Sequence, residues 1–112
     1  MAKPRFAYLL LTEHPYGREM LRQILSGGYV PEIIIEEDSV IGDEEREKFI
    51  KRIEGNQIAP LIAEQAAENG IPLVTVPIHK SSEVMPHLEG MDLDLVVFGG
   101  TRIIRGELLC LL

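Results

Sequence analysis

The run Phe6-Ala7-Tyr8-Leu9-Leu10-Leu11-Thr12-Glu13-His14-Pro15-Tyr16-Gly17 decides how the chain reads. Phe6 to Leu11 is continuously apolar, without the polar alternation of a strand that faces water on one side. It predicts a strand covered on both faces, the pattern of a parallel sheet. Pro15 suits the first turn of a helix, where its missing N–H is no loss. Met20, Leu21, Ile24 and Leu25 then recur at helical spacing, and Gly27-Gly28 ends the element. The chain therefore opens on a strand–loop–helix unit.

The remainder repeats that unit. Ile33-Ile34-Ile35, led by Val30, reads as a second strand closing in an acidic turn, Glu36-Glu37-Asp38-Ser39. Asp43 to Ile53 predicts an exposed helix, with Glu44–Lys48 and Glu47–Lys51 as i,i+4 pairs and Phe49, Ile50 and Ile53 as its apolar stripe. A further helix is predicted from about Ala59 to Glu68, with Ile58, Leu61, Ile62 and Ala66 inward and Asn69-Gly70 as its stop. Leu73 to Val76 is a third strand between two prolines. Ser81 or Ser82 caps a short helix carrying Val84, Met85 and Leu88. Leu93 to Phe98 is a fourth strand, ended by Gly99-Gly100, and a last helical turn is predicted around Glu107 to Leu112. Such alternation implies a parallel sheet with right-handed crossovers. The fold class is α/β, a Rossmann-like parallel sheet of strand order 3-2-1-4, with residues 1–112 as one unit and no dividing linker.

Bulk chemistry narrows the partners. A net charge of −7 argues against direct nucleic-acid or anionic-membrane binding by this segment, since both need clustered Lys and Arg. A single cysteine, Cys110, forms no internal disulfide, and no Cys/His spacing suggests a metal site. No stretch approaches the roughly 18 apolar residues of a membrane span, and Glu13 cuts the first apolar run short of a signal segment. A cytoplasmic domain is expected.

In open α/β sheets, ligands gather beyond the carboxyl ends of the strands where the strand order reverses. Here that point lies between the first and fourth strands, which selects the loops Thr12–Gly17 and Gly99–Arg105. In the first, Gly17 either lets a ligand approach the backbone at a helix N-terminus or serves a tight, capped helix start. It is no dinucleotide fingerprint, which needs three glycines. Glu36, Glu37 and Asp38 stand about where a ribose-binding acid would fall, but they read more naturally as a solvated turn. In the second loop, Gly99 and Gly100 expose backbone groups to the crevice, and Arg102 either offers a planar donor fork to a ligand or reaches solvent. Ile103 and Ile104 line an apolar wall or pack the last helix. His14 stands in the first loop and can meet a ligand, while His79 and His87 read as surface residues. Nucleophile elbow, P-loop and zinc motif are all missing from the sequence.

Asp92-Leu93-Asp94-Leu95-Val96-Val97-Phe98-Gly99-Gly100-Thr101-Arg102-Ile103-Ile104-Arg105-Gly106-Glu107-Leu108-Leu109 resembles the fourth strand and following loop of the folate-dependent formyltransferases. The opening strand with its His14-Pro15-Tyr16-Gly17 loop is similar to the first βα unit of the sugar-nucleotide members. Ile62 to Leu73, through Asn69-Gly70-Ile71-Pro72, resembles the family's passage into its third strand. The resemblance implies transfer of a formyl group from 10-formyltetrahydrofolate to an amine acceptor: a sugar nucleotide, an aminoacyl-tRNA or a small amine. It implies cofactor contacts at Gly100, Arg102, Ile103 and Ile104, and acceptor contacts at Thr12, His14 and Gly17. The family's catalytic Asn and His stand in an N-x-H motif, with an Asp further on. No N-x-H occurs in these 112 residues, so the resemblance implies a binding half with no catalytic residue, the N-terminal portion of such an enzyme. The alternative is a non-catalytic Rossmann-like module that binds a nucleotide or self-associates through residues 93–98, an apolar edge if no further strand pairs with it.

Overall fold

The computed structural model describes residues 3–38, 44, 47, 51, 59–79 and 81–99. Its strands are β1 (Phe6–Leu11), β2 (Ile33–Glu37), β3 (Leu73–Val76) and β4 (Leu95–Phe98). Its named helices are α1 (Pro15–Ser26), α2 (Ile62–Asn69) and α3 (Ser81–Leu88). The strands form an all-parallel, Rossmann-like sheet of order β3-β2-β1-β4. The alternation of apolar runs and helical periods thus translates directly into topology.

Handedness explains the layers. Moving from β1 to β2 to β3 steps one way across the sheet, so right-handed crossovers put α1 and α2 on one face. Returning from β3 to β4 reverses the step and puts α3 on the other. The period-2 geometry of β1 serves both layers. Tyr8 and Leu10 join Ile34, Leu21, Ile62, Ala66 and Ile71 in one buried cluster. Ala7 and Leu9 join Ile33, Ile35, Val76, Val84 and Leu88 in the other. Every residue of β1 is buried, as its unbroken apolar run requires.

Several boundaries differ from the sequence expectation. β2 does not end at Ile35: Glu36 and Glu37 continue the ladder, paired with Leu10 and Leu11 on one side and with Thr75 and Val76 on the other. They are 4% and 1% exposed, so the reading of Glu36-Glu37 as a solvated turn is corrected. The central position of β2 decides this, because its backbone is hydrogen-bonded from both sides. Asp38 alone of the described acidic trio is exposed. α2 begins at Ile62, three residues late, and Leu61 is its exposed N-cap. Val84 and Leu88 of α3 point inward while Met85 is exposed. β4 starts at Leu95, two residues late. Of the predicted helix 43–53, Glu44, Glu47 and Lys51 are helical; the rest of it, and the predicted turn at 107–112, lie outside the described residues. Among the described residues no helix is long and apolar enough to cross a membrane.

Candidate functional site

The carboxyl edge of the sheet is built outward from the end of β1. Thr12 donates both its N–H and its Oγ1 to the Glu37 carbonyl, each at 3.0 Å, carrying the β1–β2 ladder past the strand end. Glu13 then turns the chain with φ +49°, a left-handed conformation that is uncommon without glycine. Three contacts hold it there. Its N–H donates to Glu36 Oε2 at 3.0 Å, its carbonyl accepts Arg18 Nε at 3.1 Å, and its Oε1 stands 3.3 Å from the same Nε. The Glu13 carboxylate also accepts Ile62 N–H at 2.7 Å and Ala63 N–H at 3.2 Å. It thereby caps α2 from a distance, in place of the side-chain cap that Leu61 lacks.

His14 is the N-cap of α1, with its own N–H bonded to the Leu11 carbonyl at 3.0 Å. Its Nδ1 accepts the Tyr16 N–H at 3.1 Å, which puts the ring proton on Nε2, and the residue is 2% exposed. An imidazole here does the capping work of an Asp or Ser. Gly17 follows in the first turn of α1. A Cβ on it would sit 2.3 Å from the Gly99 carbonyl oxygen and 2.7 Å from a Leu10 methyl. The close approach that Gly17 permits is therefore to the backbone at the end of β4. Thr12, His14 and Gly17 are brought together at the switch point, each already engaged in holding the loop.

Of the second loop, Gly99 is described and buried, its N–H continuing the ladder to the Leu9 carbonyl at 2.8 Å. Gly100, Arg102, Ile103 and Ile104 lie outside the described residues.

Further along the edge, His79 is 5% exposed, which corrects its reading as a surface residue; His87 is half-buried. The His79 N–H donates to Glu37 Oε1 at 2.7 Å, its Nε2 stands 3.0 Å from the Ile35 carbonyl, and Nδ1 is 4.0 Å from Glu37 Oε1. Since a carbonyl only accepts, Nε2 carries a proton. This pair pins the loop after β3 to the end of β2. Glu36 beside it has its carboxyl pushed above the ordinary glutamate range, first by burial. The Glu13 N–H opposes that shift, the Glu13 and Asp38 carboxylates add to it, and Arg18 offsets part of it.

Sequence reasoning missed Glu13 as a cap and the Glu37–His79 pair. The absence of any breaker between Ile35 and Glu37 was a faint sign that the strand continued, but no local pattern joins residues 42 positions apart. Among the described residues no group of three or more His, Cys, Asp or Glu could hold a metal ion. The arrangement packs Gly17 against the Gly99 backbone at the β1/β4 switch point, with Glu13, Glu36 and Glu37 at the neighbouring strand ends. No family model, curated protein or solved structure matches this chain.

Proposed function

We propose that these residues form the ligand-binding half of a folate-dependent formyltransferase. In this reading, 10-formyltetrahydrofolate is held by Gly100, Arg102, Ile103 and Ile104, and the amine acceptor approaches the Thr12–Gly17 loop. The observation that carries the reading is the contact of Gly17 with Gly99 across the β1/β4 switch point. It joins the roots of the two loops that the family resemblance assigns to acceptor and cofactor, where open α/β sheets bind ligands. The crevice is filled at the level of the sheet by backbone and by the Tyr8 ring. In this reading the cofactor lies above the strand ends, beyond the filled level of the sheet. When bound, it supplies the formyl carbon; the role of this chain is to hold and orient, since the sequence contains no N-x-H.

Titration with 5-formyltetrahydrofolate, followed by backbone and side-chain resonances, tests the proposal. Saturable shifts at Arg102 and Ile104 are the expected result. No change up to millimolar ligand overturns it.

One observation favours a second reading, a self-associating module. β4 has a strand neighbour on one side only among the described residues, and Leu95 is 37% exposed beside a shallow apolar groove that includes Phe6, Ile24, Tyr29 and Val97. Sedimentation velocity of the chain and of Leu95→Lys distinguishes it: a concentration-dependent dimer abolished by the lysine supports it, and a monomer throughout removes it.

A further inference from the structure

The geometry points to Tyr8 as the positioning residue of the switch point: its phenol, from within the sheet layer, sets the spacing of Gly17 and Gly99, where α1 starts and β4 ends. The inference rests on the proposed ligand reading of this switch point and adds which side chain spaces Gly17 from Gly99. Tyr8 lies mid-strand in β1, is fully buried, and faces the layer covered by α1. A hydroxyl so placed needs an acceptor, and it finds the Gly17 carbonyl at 2.7 Å.

The same ring tip bounds Gly99. A Cβ on Gly99 would lie 1.8 Å from the Tyr8 oxygen and 2.2 Å from Cζ, so nothing larger than glycine fits. Gly17 in turn abuts the Gly99 carbonyl, 2.3 Å from where its own Cβ would be. Tyr8, Gly17 and Gly99 form a closed triangle. Neither loop root can move inward without overlap, and the Gly17 root cannot move outward without stretching a buried hydrogen bond. Burial also raises the Tyr8 hydroxyl above the ordinary tyrosine range, which keeps it a donor at any ordinary pH.

Tyr8→Phe removes the hydroxyl and keeps the ring, so the fold is retained. Amide resonances of Arg18 and Gly99, and affinity for 5-formyltetrahydrofolate, are compared in the wild-type chain, Tyr8→Phe and Val84→Ala. The last variant weakens the opposite face of the sheet and controls for lost stability. The expected result is a shift at both amides in Tyr8→Phe and binding roughly fivefold weaker than in either other protein, the equivalent of one net hydrogen bond. If the wild type binds and Tyr8→Phe binds equally well, the positioning role is overturned while the ligand reading stands. If the wild type does not bind, the ligand reading fails and the amides decide. A shift at both still assigns loop spacing to Tyr8, and a shift confined to Arg18 overturns it.

Discussion

The Glu13 carboxylate accepts the N–H of Ile62 at 2.7 Å, so a residue at the end of the first strand caps a helix 49 positions later. The contact explains how Glu13 tolerates φ +49°: one side chain satisfies two orphan donors of α2 and stands against Arg18. Glu13→Ala should lose these contacts and keep the strained backbone, costing about 2 kcal/mol. Glu13→Gly loses the same contacts and relieves the backbone, so it should be less damaging than alanine by roughly 1 kcal/mol. Urea unfolding of the two variants checks the order, and equal stabilities would refute it.

Glu36 is buried as an acid whose folded-state pKa is raised. A raised value means that its contribution to stability is fully present below the ordinary glutamate range and is lost as pH rises through the higher folded value. Glu36→Gln keeps an acceptor for the Glu13 N–H and removes the charge. We expect the variant to be more stable than wild type at neutral pH and to lose that advantage on acidification. Unfolding curves between pH 4 and 8 decide the matter.

Gly99 and Tyr8 should show reciprocal suppression. Gly99→Ala forces a methyl into the phenol tip and should cost about 3 kcal/mol through overpacking. Tyr8→Leu shortens the side chain and should recover much of that loss in the double variant. Gly17→Ala meets the Gly99 carbonyl, which is backbone, and Tyr8→Leu should not rescue it. A thermal-denaturation double-mutant cycle reads both outcomes.

His79→Ala leaves the buried Glu37 carboxylate with one fewer neighbour and opens a cavity against Ile35. The expected destabilisation is about 3 kcal/mol. Combining it with Glu37→Gln should cost less than the sum of the two single changes, since both alter the same side-chain contact while the residue 79 N–H stays on residue 37. Strict additivity in chemical denaturation would show that the two side chains do not interact.

Local pattern carried much of this architecture. Phe6–Leu11 and Leu73–Val76 stand where their apolar runs end, and α1 stops at Gly27 as its breaker requires. The switch point followed as well, because strand order and crossover handedness leave one reversal, between β1 and β4. Thr12, His14 and Gly17 gather there. The charged positions were less legible. Glu36 and Glu37 read as a solvated turn at a strand end, and only the ladders on both sides of β2 hold them inside.

The sequence by itself determined the parallel α/β sheet and its order 3-2-1-4, since burial periodicity and chain handedness act over short spans. Tertiary structure alone decided that Glu13 caps α2, that Glu37 meets His79, and that Gly17 closes on Gly99 over the Tyr8 hydroxyl. The physical reason is one of range. Each of these contacts satisfies a buried polar group or fills a space whose partner comes from another element, and no window of sequence contains both halves.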